Sequence, residues 1–256
     1  MTAAVPTATS PTQTSTALIS SRAITKSFDI GSRQVEILHG VDVDVFPGEL
    51  VAVMGQSGSG KSTLLYCLAG LETPTAGEVL VDQKALTSMT RSGLAKMRRT
   101  DVGFVFQQYN LVPTLSVYEN VALPWRLSRR KPDQALIMEK LTRMGIADLA
   151  QKLPSTLSGG EQQRVALARV MAQQPRIVFA DEPTGALDTR TGAVVLDELS
   201  TIAHEAGQCV LMVTHDPVVA SRCDRVLMMR DGLIVEELRK PTRETVADVL
   251  NALAGE

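Results

Sequence analysis

At 256 residues with 44% apolar side chains, the chain has material for one large or two small domains around a sizeable core. Lysine and arginine number 26 against 28 aspartates and glutamates, which leaves no basic excess for nucleic acid and no acidic tail; no nucleic-acid partner is expected. Cys67, Cys209 and Cys223 lie far apart, in or beside apolar stretches and without metal-ligand spacing, and read as reduced core residues of a cytosolic protein.

Residues 2–20 are dominated by Thr, Ala, Ser and Pro, too little apolar surface to offset ordering entropy, so residues 1–20 are expected to be a disordered tail. The start of the chain lacks the basic-then-apolar order of a signal peptide. No apolar run approaches the ~18 residues that span a bilayer, and the chain is expected to be soluble. No repeat of fixed period is present. Ser21 to Phe28 and Gln34 to His39 flank Gly31-Ser32 and read as two antiparallel strands. Glu49 to Met54 is an apolar run between Pro47-Gly48 and Gly55, the pattern of a buried strand. Lys61 to Ala69 fits a helix closed by Gly70.

From about Leu86 to Ser155 the texture becomes helical: Pro132 and Asp133 open a segment with Ile137, Leu141 and Met144 on one stripe, and Gly145 closes it. Ile177 to Ala180, Cys209 to Val213 and Val226 to Met229 are then short apolar runs separated by helix-like segments, the order of a parallel α/β sheet. Asp231-Gly232 signals a closing hairpin with Leu233 to Val235. The expected organisation is an α/β core with antiparallel β over 21–86 and 156–240, a helical insertion over 87–155 and a C-terminal helical extension over 241–256.

Three motifs carry chemistry. Gly55-Gln56-Ser57-Gly58-Ser59-Gly60-Lys61-Ser62 fits the phosphate-loop pattern between a predicted strand and helix. Its glycines let consecutive N–H groups face phosphate oxygens at the positive end of a helix; Lys61 neutralises phosphate charge and Ser62 offers a hydroxyl to Mg²⁺. Asp181-Glu182 follows the apolar run ending at Ala180, at the strand edge where ligands bind in open sheets. Asp181 is expected to hold Mg²⁺ and Glu182 to orient or deprotonate a water, although Pro183-Thr184-Gly185 also suits a plain solvated turn. In Leu157-Ser158-Gly159-Gly160-Glu161, Ser158 and Glu161 form a capping box, a purely structural role. Two glycines in a first turn cost on the order of 1 kcal/mol each, yet leave N–H groups open to an anion.

In this order, the phosphate loop, Leu-Ser-Gly-Gly-Glu and Phe179-Ala180-Asp181-Glu182-Pro183-Thr184-Gly185-Ala186-Leu187-Asp188 resemble the ATPase domain of ABC transporters over roughly residues 21–235. The resemblance implies a P-loop NTPase ABC ATPase fold of α/β class, with an antiparallel β subdomain and an inserted helical subdomain. It implies ATP and Mg²⁺ as ligands, with Thr63 extending the phosphate loop. It further implies a head-to-tail homodimer in which Ser158, Gly159, Gly160 and Glu161 complete the partner's site in trans. Gln107 matches the glutamine loop that touches Mg²⁺ and the attacking water, His215 the switch histidine and Asp188 the loop that meets the opposing subunit. Phe28 stands where an adenine-stacking tyrosine is usual, and Glu161 where glutamine is frequent. The partner implied is an integral membrane permease on a separate chain, with this chain peripheral on the cytoplasmic face of the membrane. Ser57 to Leu65, Thr114 to Val121 and Leu157 to Arg164 look most like the branch that serves lipoprotein release, macrolide and peptide export and division-associated permeases, which makes export or mechanotransmission the expected role. Regulation of an extracytoplasmic enzyme through a membrane protein, and a soluble ABC ATPase, are the alternatives.

Overall fold

The computed structural model describes residues 16–185, 187–205 and 207–254. Its first unit is a long hairpin, β1 (Ile19–Ile30) and β2 (Arg33–Val45). The expected tail falls outside the described residues up to position 15, but its boundary at residue 20 is corrected: Leu18 is buried and Ile19 is fully buried at the start of β1. Two large aliphatic side chains there are enough to anchor the strand against the core.

β3 (Leu50–Gly55) runs into the phosphate loop and α1 (Lys61–Leu68), in which Leu64, Leu65 and Leu68 are fully buried. Burial of each leucine contributes about 1.5–3 kcal/mol. Gly70, at φ +64°, turns the chain out of the helix. β4 (Ala76–Val81) and the short β5 (Lys84–Ala85) follow, then α2 (Arg91–Thr100) and β6 (Val102–Val105). α3 (Val117–Leu127) starts at a Ser116/Glu119 capping box, and α4 (Gln134–Arg143) starts at the Asp133 N-cap. The rest alternates as α5 (Gly159–Gln173), β7 (Ile177–Asp181), α6 (Thr189–His204), β8 (Cys209–Val213), α7 (Pro217–Ala220), β9 (Arg225–Arg230), β10 (Leu233–Arg239) and α8 (Arg243–Ala254). Asp231 and Gly232 both have positive φ, as the β9–β10 hairpin turn requires.

Two sheets result: an antiparallel one in the order β2-β1-β4-β5 and a six-stranded one in the order β10-β9-β3-β8-β7-β6. In the second, β6, β7, β8, β3 and β9 are parallel and β10 is antiparallel. β3 shows how the core is divided. Leu50, Ala52 and Met54 face α3, α5 and α6, whereas Val51 and Val53 face α1 and the antiparallel sheet. A strand covered on both faces must be apolar throughout, the pattern that marks it in the sequence.

The boundary at residue 87 is also corrected. β6 pairs in parallel with β7 from Val102↔Ile177 to Val105↔Ala180, so the segment through residue 105 belongs to the core sheet, with α2 packed against it. Only the chain after β6 leaves the sheet, as α3 and α4 against α5. A four-residue strand interrupted by Gly103 gives too short an apolar run to stand out among helical neighbours.

Candidate functional site

The phosphate loop is held by close approach to β9. A Cβ on Gly55 would lie 2.0 Å from the Met229 carbonyl oxygen, so only glycine lets β3 run past that strand into the loop. Gly58 and Gly60 sit at φ +83° and +95°. Gly60 is the left-handed N-cap of α1 and no side chain caps the helix, so its first amides remain available to an anion. Lys61 is buried, with Nζ donating to the Gln56 carbonyl at 2.7 Å. Burial pulls its ammonium below the ordinary lysine range, against the opposing pull of Glu182 and Asp181. Such a desolvated cation favours an arriving anion.

β7 delivers the acids. Ser62 Oγ donates to Asp181 Oδ1 at 3.2 Å, which places one hydroxyl and one carboxylate oxygen together, hard donors of the kind Mg²⁺ takes. Among the described residues no group of three or more His, Cys, Asp or Glu side chains is placed to hold a metal ion. The Ser62 and Asp181 oxygens fit a cation that completes its shell with water and phosphate, as Mg²⁺ does. The other oxygen, Oδ2, accepts a bond from Tyr66 at 2.7 Å. Burial first, and then that bond, push the Tyr66 phenol up to about 12, so it stays a donor. Glu182 has φ +46° and its N–H donates to the Val213 carbonyl at the end of β8. His215 Nδ1 lies 3.1 Å from Glu182 Oε1. Because a carboxylate only accepts, Nδ1 carries the proton there.

These residues surround a cleft of about 600 Å³ lined by Phe28, Ile37, Gly55, Ser57, Gly58, Gly60, Lys61, Ser62, Thr63, Glu182 and His215. Phe28 is half-buried at its rim, with Lys26 Nζ 4.6 Å from the ring centroid. Gln56 turns outward and donates to the Leu253 carbonyl of α8 at 3.3 Å, while Ser59 is buried beneath the loop.

The remaining predicted residues lie elsewhere. Gln107 is exposed in the turn after β6, forms no side-chain hydrogen bond among the described residues and does not line the cleft. Ser158 caps α5: its Oγ accepts from Glu161 N at 3.3 Å, and Glu161 Oε2 accepts from Ser158 N at 2.7 Å. Those bonds lower the Glu161 carboxyl below its ordinary value. Asp188 caps α6 through Thr191 N and Oγ1 at 3.0 and 2.7 Å, and this likewise lowers its carboxyl. Both structural roles are therefore realised. A Cβ on Gly159 would meet Tyr109 Oη at 2.8 Å, and one on Gly160 would meet Thr191 Cγ2 at 3.2 Å. The Gln107 turn, the start of α5 and the Asp188 cap thus adjoin one another as a second, exposed group. Two residues not singled out from the sequence tie it down: Arg169 donates to the Tyr109 and Asn110 carbonyls, and buried Gln163 donates to the Pro183 carbonyl just past Glu182. Their signal was limited to a polar side chain on the mostly apolar α5, and Tyr66 had only its position one turn after Ser62.

A second cleft of about 410 Å³ is formed by α2, β6, α3 and α5, with Phe104, Phe106, Leu123, Pro124, Leu127 and Val170 among its walls.

Comparison with known proteins supplies the context. Residues 38–185 match the family model described as ABC transporter. The lipoprotein-releasing system ATP-binding protein LolD of Shewanella frigidimarina is 41% identical over 224 residues, covering 87% of this chain and 94% of that one. The macrolide export ATP-binding/permease protein MacB of Brucella melitensis is 44% identical over 223 residues, covering 85% of this chain but only 34% of that longer one. Among solved structures, a dimeric post-hydrolysis state of the ATP-binding cassette MJ0796 bound to ADP and Pi superposes with a TM-score of 0.82 at 38% identity, covering 87% of this chain and 99% of that one.

Proposed function

The chain belongs to the ABC transporter family as an ATP-binding, ATP-hydrolysing subunit, and from that premise we propose that two copies close head to tail on two ATP molecules to drive a membrane permease. The observation that carries this reading is the separation of the two glycine-bearing helix starts, those of α1 and α5. One lines the cleft with Lys61, Glu182 and His215, while Ser158-Gly159-Gly160 stands outside it. A second copy is what brings the latter to the former.

In each site the loop amides and Lys61 hold the β and γ phosphates, and Phe28 stacks on the base. Ser62 and Asp181 would hold Mg²⁺, which neutralises charge on the phosphate oxygens. Glu182 takes a proton from the attacking water as its oxygen bonds to the γ phosphorus and the bond to ADP breaks. His215 keeps Glu182 oriented through the bond to Oε1, and Gln107 joins the water once closure moves its turn inward. ATP binding closes the pair and hydrolysis reopens it. The cleft between α2, β6, α3 and α5 is the seat for a permease segment, since its apolar floor lies at the end of the Gln107 strand and Leu127 on its wall is 58% exposed. No described helix is long and apolar enough to cross a membrane, so the membrane half of the assembly is assigned to the partner. The names of the relatives favour export; mechanotransmission and a peripheral place on the cytoplasmic face are part of the same proposal.

The test is to trap Glu182→Gln with Mg-ATP in solubilised native membranes and identify what co-purifies. A permease with a large extracytoplasmic domain is expected. Nucleotide trapped with no membrane protein attached would overturn the permease assignment.

A further inference from the structure

The reaction as described leaves one bond unused. Asp181 presents two oxygens: Oδ1 takes the Ser62 hydroxyl and Oδ2 takes the Tyr66 hydroxyl at 2.7 Å. Ser62 and Tyr66 are one helical turn apart on α1, so a single rigid element grips both sides of the carboxylate. The Tyr66 ring continues outward. It lies 6.2 Å from Phe104, centroid to centroid, and Phe104 stacks on Phe106 at 4.2 Å with 17° between planes. Phe104 also packs on buried Phe179 of β7, two residues before Asp181. Phe104 and Phe106 are walls of the apolar cleft between α2, β6, α3 and α5. A row of three rings therefore runs from the floor of that cleft to the carboxylate beside the phosphate loop.

We propose that Tyr66 is a positioning residue for Asp181, and that the Phe106–Phe104–Tyr66 row makes the carboxylate's orientation respond to what occupies the outer cleft. The inference rests on the reading of Asp181 as a Mg²⁺ holder. Outer partners of a metal-holding group fix its orientation, and their removal typically costs about 10- to 100-fold in metal affinity. Close-packed rings transmit displacement because they have no slack to absorb it.

The experiment measures ADP affinity of the full chain with a fluorescent analogue, with and without Mg²⁺, so that it does not depend on turnover. Tyr66→Phe keeps the ring and removes only the donor. It is expected to retain metal-free ADP affinity within about twofold while the strengthening by Mg²⁺ falls about tenfold. Phe106→Leu, at the far end of the row, is expected to shift the same ratio in the same direction by a smaller factor, with the unfolding midpoint little changed. An unchanged Mg²⁺ ratio in Tyr66→Phe overturns the positioning role, as does loss of metal-free affinity, which would mark general damage to the loop. A shift in Tyr66→Phe with none in Phe106→Leu overturns the row as a route. Absence of any Mg²⁺ effect in the unaltered chain overturns the assignment of Asp181 itself, a different failure from these.

Discussion

The starts of α1 and α5 are two answers to the same problem, four unpaired amides at a helix end. α1 leaves them unpaired: its N-cap is Gly60 in a left-handed conformation, with no side-chain cap and a buried lysine in the first turn. α5 pairs two of them within itself, Ser158 N with Glu161 Oε2 and Glu161 N with Ser158 Oγ, on the surface and with no basic residue in its first turn. The first start is incomplete without an anion and has the cation to hold one. The second is half-paired as it folds and has no lysine in its first turn, so what it contributes to phosphate must come from its two glycine amides when another copy approaches. The contrast fits an α5 start that lies half-buried at the surface and an α1 start backed by β9, Leu38 and Ile37.

The comparison is broken most severely at the acid beside the first start. Glu182→Gln is expected to lower steady-state ATP turnover about 10² to 10⁴ fold while equilibrium ATP binding is preserved; near-normal turnover would refute its role as base. Lys61→Ala removes the cation that makes the α1 start a site, and ATP affinity measured by calorimetry should fall about 10- to 150-fold, the equivalent of about 1.5–3 kcal/mol. Ser158→Arg should leave nucleotide affinity of the single chain unchanged yet prevent closure. In mixtures with Glu182→Gln subunits, one trapped nucleotide per mixed dimer is expected, and two would rule out action in trans. Ser158→Ala sharpens the purely structural side of α5, with about 0.5–2 kcal/mol lost in denaturant unfolding. The lowered Glu161 carboxyl adds a pH signature with a definite sign: the stabilisation is full above the ordinary carboxyl range and is lost as pH falls through the lower folded value. The smallest effect is expected at the thiols. Burial raises Cys67 to about 11 and Cys209 and Cys223 to about 12, so a thiol reagent should label none of them at neutral pH until the chain unfolds.

Features that depend on local chemistry were legible in the sequence. The phosphate loop needs glycine at fixed offsets because of the Met229 carbonyl and the left-handed Gly60, and the hairpin needs Asp231-Gly232 for its two positive φ values. Asp181 and Glu182 were found because they end an apolar strand. What was not legible depends on tertiary neighbours. β6 is a strand only because β7 lies beside it, Tyr66 is a functional candidate only because β7 brings Asp181 to its hydroxyl, and the anchoring of α8 depends on Val246 reaching the core. Gln107 illustrates a different limit: the resemblance picks it out beside a second glutamine, Gln108, and in a single chain its turn stays exposed outside the cleft.

The strand order has a consequence in time as well as space. β3, which carries the phosphate loop, is flanked by β8 and β9, and Leu50 of β3 pairs with Val210. At about 5–20 residues per second of synthesis, roughly 8 to 32 s separate the appearance of those two residues. Throughout that interval this fully buried apolar strand has neither neighbour, and the loop beyond it lacks the Met229 carbonyl it is shaped around. On the ribosome the nucleotide site is therefore begun early and finished near the end, and the nascent chain exposes an open β3 edge for chaperones to cover in between.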